Sequence, residues 1–220
     1  RHTRSAFVTG VQTFALPIKI AAIADLHACE PWMNVGRIER IVAETNELEP
    51  DLIVLLGDYE TRNRYVASRV PMQAWARVLG RLNAPLGVHA VLGNHDWWQD
   101  YAATRREQGP VVGRRALEDA GVPVYENDAV RLVKDGQPFW LAGLGDQWAF
   151  RRSRRSRSGP RSPRYRGVDD LAGMLRRVTD DAPVIMLAHE PDIFAVTPAR
   201  VALTLSGHTH GGQRSEEHTS

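Results

Sequence analysis

Cysteine is almost absent from this sequence: one in 220 residues, Cys29. No internal disulfide can form, and a reducing compartment is the expected setting. There is also no apolar run near the ~20 residues that a membrane-crossing helix needs. No internal repeat is present. Acid is missing from one stretch, residues 151–166, which holds eight of the chain's 28 lysines and arginines. Outside that stretch 20 basic residues face 26 acidic ones, so the formal charge of +2 comes from a single segment. A generally basic, nucleic-acid-binding surface is thereby excluded. The segment itself is broken by Ser, Gly and Pro and is expected to be a loop.

The two ends lack hydrophobic period. Residues 1–17 (RHTRSAFVTGVQTFALP) and 214–220 (RSEEHTS) resemble translated sequencing-adapter sequence. They are expected to be a non-native arm and tail, leaving one domain over residues 18–213 with a substantial core. The expected location is the cytoplasm or the periphery of a membrane, with a native N-terminal anchor missing.

What is present is a series of short apolar runs, each stopping at a chemically active residue. Residues 18–24 (IKIAAIA) read as a strand covered on both faces and end in Asp25-Leu26-His27. Residues 52–56 run into Gly57-Asp58, and residues 88–92 into Gly93-Asn94-His95-Asp96. Residues 183–188 stop at His189, and residues 201–205 lead into Gly207-His208-Thr209-His210. Between them lie amphipathic helices. One carries the stripe Ile38, Ile41, Val42, Thr45 and Leu48, a second begins near Pro71, a third covers residues 112–120, and a fourth carries Leu171, Met174, Leu175 and Val178. Asp135-Gly136 between residues 130–133 and 139–144 signals a hairpin.

Each strand-end residue taken singly has a structural explanation as a cap or turn former. Five such coincidences do not, because open α/β sheets place their sites at the carboxyl ends of strands. A His-x-His turn cannot bury both rings, whereas neutral imidazole is a common transition-metal ligand. His89, inside a strand, reads as structural. Trp97 and Trp98 read as core or as an apolar shelf for substrate.

The order Asp25-x-His27, Gly57-Asp58, Gly93-Asn94-His95-Asp96, His189, Gly207-His208-x-His210 resembles the calcineurin-like metallophosphoesterases. Within them, GHTHGGQ preceded by AHEPD looks most like the bacterial YkuE/YaeI-type phosphodiesterases. The resemblance implies an α/β fold, a four-layer α/β/β/α sandwich of two mixed sheets flanked by helices, here without its last strands. It implies one divalent metal on Asp25, His27, Asp58 and His210, and a second on Asp58, Asn94, His189 and His208. Mn²⁺, Fe²⁺ or Zn²⁺ suits that donor set. Two divalent ions against two carboxylates leave about two net positive charges for a metal-bridging hydroxide and an anionic phosphoryl group.

In the family, the position of His95 protonates the leaving oxygen. An Asp that commonly supports it is replaced here by Thr61, so Asp96 or Glu60 is expected to take that part, which makes His95 and Asp96 the candidate catalytic residues. The implied activity is hydrolysis of a phosphomonoester, phosphodiester or pyrophosphate, with a small phosphoester or a glycolipid-type diester as substrate. Peripheral membrane contact stays open. The alternatives are a nuclease, supported only by residues 151–166, and a non-catalytic interaction module, against which the retained ligands argue.

Overall fold

The computed structural model describes residues 17–61, 66–151 and 164–210. The arm apart from Pro17, the tail and the interior of the arginine-rich segment lie outside the described residues. In chain order the strands are β1 (Ile20–Ile23), β2 (Cys29–Glu30), β3 (Leu52–Leu55), β4 (Ser68–Arg69), β5 (Val88–Ala90), β6 (Asp128–Lys134), β7 (Gln137–Gly143), β8 (Phe150–Arg151), β9 (Tyr165–Arg166), β10 (Val184–Ala188) and β11 (Val201–Ser206). The helices are α1 (Val35–Glu47), α2 (Met72–Leu79), α3 (Asn94–Gln99), α4 (Tyr101–Arg106), α5 (Val112–Asp119) and α6 (Leu171–Leu175), with a 3-10 helix at Pro191–Val196.

Two sheets carry the fold. The first has the order β1-β3-β5, parallel throughout. The second has the order β11-β10-β7-β6, in which only β6 runs antiparallel to its neighbour. The period of two along each strand decides the layering. Leu52, Val54 and Leu56 face Phe139, Leu141, Ile185 and Leu187 across the gap between the sheets. The alternate residues Ile53 and Leu55 turn outward onto Ile38 and Val42 of α1, Trp75 and Leu79 of α2 and Leu117 of α5. On the far side of the second sheet, Trp140, Ala142, Met186 and Ala188 pack on Met174 of α6 and on Ile193. Helix, sheet, sheet, helix is the expected four-layer order.

Local chemistry sets the boundaries. Asn34 caps α1, its side-chain oxygen accepting from the Arg37 amide at 2.9 Å. The β6–β7 hairpin turns at Asp135 and Gly136, both at positive φ, as a tight Asp-Gly turn requires. The Lys134 ammonium reaches Asp51 at 2.7 Å and so ties this hairpin to the start of β3. β1 is an edge of its sheet, with Ala22 exposed, yet both of its faces are packed: Ile20 and Ala24 lie against the layer between the sheets, and Ala21 and Ile23 against the helix side. One expectation needs correction. Asn94 and His95 do not end a strand in a turn; they open the short helix α3.

Candidate metal centre

β1, β3 and β5 run in one direction in their sheet, as β7, β10 and β11 do in theirs. Their carboxyl ends meet at one edge of the sandwich. The first sheet delivers Asp25, His27, Asp58 and Asn94; the second delivers His189, His208 and His210. Three sets of ligand atoms lie within 4.8 Å of one another: Asp25, His27 and His210; Asp58, His189 and His208; and His27, Asp58 and His95. Asp58 is the hinge of the arrangement. Its Oδ2 is 3.5 Å from His27 Nε2 on one side and 3.4 Å from His189 Nε2 on the other.

Two ring-nitrogen pairs repeat the same spacing. His27 Nε2 and His210 Nε2 are 3.2 Å apart, and so are His208 Nδ1 and His189 Nε2. Atoms bound to one cation at about 2.0–2.2 Å stand roughly 3.0–3.6 Å from each other, so these spacings fit shared ions. The rings are held in a suitable tautomer from behind. His189 Nδ1 donates to the Leu56 carbonyl at 2.6 Å and His27 Nδ1 to the Glu60 carbonyl at 3.2 Å, which turns each Nε2 toward Asp58. The Asn94 side-chain oxygen is buried with no hydrogen-bond partner, and a cation would satisfy it. The residues therefore fit a pair of divalent ions, with no thiolate in the donor set.

The backbone here is strained. Asp25 (φ 54°), His27 (46°), Asp58 (57°), His208 (68°) and His210 (49°) are all left-handed. Each such non-glycine residue costs about 1–3 kcal/mol, and strain of this kind gathers at functional sites. Glycine makes room where the two sheets approach. A Cβ on Gly93 would stand 2.4 Å from Asp58 Oδ1, and one on Gly207 2.9 Å from Asp25 Oδ2.

A comparison with family models matches residues 18–212 to the calcineurin-like phosphoesterase model. The chain belongs to the calcineurin-like phosphoesterase family. It is 31% identical over 198 residues to the uncharacterized metallophosphoesterase YkuE of Bacillus subtilis, covering 89% of this chain and 59% of that protein. It is 31% identical over 200 residues to the phosphodiesterase YaeI of Escherichia coli, covering 90% and 63%. A transmembrane protein with metallophosphoesterase domain from Danio rerio is 29% identical over 200 residues, covering 89% and 41%. The chain thus spans less than two thirds of the length of these relatives. Among its described residues, no helix is long and apolar enough to cross a membrane.

The calcineurin-like site opens into a pocket of about 180 Å³ lined by Asp58, Asn94, His95, Trp98, Trp148, Arg151, Tyr165 and His208. His95, half-buried, is part of that lining. Its amide donates to Asp58 Oδ1 at 2.8 Å, and its ring meets the His27 ring edge-on at 4.8 Å. Burial pushes the Asp58 carboxyl up, but His189, His95 and His27 outweigh it and hold Asp58 well below its ordinary value.

Asp96, expected beside His95, serves the backbone instead. Its Oδ2 accepts from the Asp58 and Gly93 amides at 2.9 and 2.8 Å, and its Oδ1 from the Tyr59 amide at 2.9 Å. Burial and the neighbouring Asp58 carboxylate raise Asp96 to about 8, against the pull of those amides. The Glu60 carboxylate pairs with Arg69 at 2.7 Å. His89 is structural, held between the Leu86 carbonyl and the Tyr125 hydroxyl.

Trp148 was missed in the sequence, although a signal for it exists. The β7 run ends in Gly145-Asp146, the same punctuation as Gly57-Asp58, and Trp148 follows. Its amide donates to Asp146 Oδ1 at 2.8 Å, and Glu190 holds the Gln147 amide at 3.1 Å. Burial, and after it Glu190, pushes the Asp146 carboxyl well up.

Proposed function

We propose that this domain hydrolyses phosphoesters with the help of two divalent cations. The observation that carries the reading is the place of Asp58. One carboxylate oxygen stands about equally far from His27 and His189, at the junction of two histidine pairs. One cation would be held by Asp25, His27, Asp58 and His210, and the other by Asp58, Asn94, His189 and His208. Bound there, the pair would supply a nucleophile at neutral pH and charge to hold the phosphoryl oxygens. The side chains of this chain do the rest. Asp58 spans the two positions, His189 and His27 present Nε2 to them because each Nδ1–H donates to a backbone carbonyl, and His95 lines the pocket beside them to give a proton to the departing oxygen.

The substrate class is a small phosphoester, since the pocket beside the ligands is small. Diester cleavage is favoured over a monoester because Trp98 and Arg151, which hold no cation, line the same pocket and could meet a second substituent on phosphorus. Elemental analysis and turnover of a bis-aryl phosphate test the reading together. Two manganese-, iron- or zinc-class ions per active chain are expected, with Asp58→Ala losing most of the metal and turnover by about 10³-fold or more. An active sample holding one ion or none sinks the dinuclear reading.

A further inference from the structure

A second group of residues shares the pocket and has no part in holding cations. Trp98 follows His95 by three residues on α3, so both side chains leave one face of the helix, and their ring centroids are 5.2 Å apart. Arg151, at the end of β8, lays its guanidinium over Trp98 with Cζ 3.6 Å from the ring centroid. Tyr165 of β9 stacks on Trp148 at 4.4 Å and 6°, and lies 5.9 Å from Trp98 at 22°. The group is braced, for Trp98 Nε1 donates to the Trp148 carbonyl at 3.0 Å. All four line the pocket beside Asp58, Asn94, His95 and His208.

Arg151 also differs from its neighbours in charge balance. Arg166 pairs with Glu107, Arg69 with Glu60 and Arg131 with Asp180, but among the described residues no carboxylate pairs with Arg151. Stacking on the indole covers a face of the guanidinium and leaves its N–H edge open. That edge is a planar fork of donors shaped for the oxygens of a carboxylate or phosphate. A stacked guanidinium is also pre-ordered, so less freedom is lost when it binds an anion.

Position decides which part of a substrate meets that fork. The transferred phosphoryl group belongs with Asp58 and the histidine pairs. His95 links those ligands to Trp98, its ring 4.8 Å from that of His27 and 5.2 Å from that of Trp98. Arg151 joins this row through Trp98. A chain of atoms running from the phosphorus past His95 is the leaving half, and it reaches Trp98 and then Arg151.

We propose that Arg151, on its Trp98 platform, is a specificity-determining residue that takes an anionic group carried by the leaving half of the substrate. The group is a carboxylate or a phosphoryl-type anion. The proposal rests on the phosphoesterase reading and on His95 marking the leaving side.

The test uses three methyl aryl phosphodiesters with the metal-loaded chain: a 4-nitrophenyl ester, the same ester with a ring carboxylate, and the same ester with a phosphonomethyl group. The expected result is that wild-type protein prefers one or both anionic esters, mainly through KM. Arg151→Gln should lower the ratio of anionic to neutral kcat/KM by about tenfold or more, and Arg151→Lys should restore part of it. The two anionic arms tell a carboxylate from a phosphoryl-type group. An equal loss on all three esters would put Arg151 at the transferred phosphoryl group and overturn the proposal, as would no change in the ratio.

A binding measurement does not depend on turnover. Tryptophan fluorescence should report 4-(phosphonomethyl)phenol binding about tenfold tighter than p-cresol, with the difference lost in Arg151→Gln. If no ester is turned over but this difference is seen, the phosphoesterase reading fails while the anion subsite stands. If the difference survives in Arg151→Gln, the subsite fails.

Discussion

His95 separates the chemistry of the site from its construction. It stands next to Asn94 and within reach of Asp58, close enough to be counted with a set of ligand atoms. As a proton donor it should be dispensable for metal. His95→Ala is expected to keep its metal content while turnover falls about 10²–10⁴-fold. The loss should be smallest for a nitrophenolate and largest for an alkoxide, which cannot leave without the proton. A collapse in metal content would make His95 a ligand. Gly93 tests the construction instead. Its missing Cβ is the space that Asp58 Oδ1 and His189 occupy, at 2.4 and 2.7 Å from where that atom would sit. Gly93→Ala should displace Asp58 and cost metal with no charge removed; full metal occupancy by elemental analysis would contradict this. At this scale the sequence was informative wherever a polar residue stood at the end of an apolar run, from Asp25 to His210. It was weakest for Trp148 and Tyr165, because an aromatic residue reads as packing until its neighbours are known.

Asp96 belongs to the scale of elements. Its carboxylate stitches the loop after β3 to the start of α3, through the amides of Asp58, Tyr59 and Gly93. Asp96→Asn puts an N–H against an N–H and should cost about 1–3 kcal/mol in denaturant midpoint. Turnover per metal-loaded molecule should fall far less than in His95→Ala. A variant of wild-type stability but with turnover as low as His95→Ala would return Asp96 to the chemistry. The sequence placed Asp96 in the right turn with the wrong task, since spacing tells which residues share a loop but not whether a carboxylate faces inward to amides or outward to substrate. Short helices were equally hard to read. α3 and α4 together span only residues 94–106. Their six-residue lengths show no amphipathic period, and their formation depends on caps such as Asp100, which holds the Ala103 amide. The longer α1 was legible from its stripe.

At the scale of the whole molecule, the four layers follow from strands whose two faces meet different partners, and apolar runs in the sequence are what such strands look like. The order of the strands was not legible, because it depends on pairings such as Val184 with Trp140 that no local pattern encodes. That order has a consequence for how the chain holds together. Asp25 and His210 are 185 positions apart, as numbered, yet belong to one cluster. Neither sheet owns a complete set of ligands. Cations at this edge would therefore act as rivets through both layers, closing a circuit almost as long as the domain, much as a staple closes a sheaf. Such closures restrict the unfolded chain most when the loop is longest. Chelation should accordingly lower the melting temperature of the entire domain in one transition, by an amount that grows with the logarithm of the metal concentration withdrawn. Calorimetry showing only a local, low-enthalpy change on chelation would mean that the two layers hold each other without the rivets.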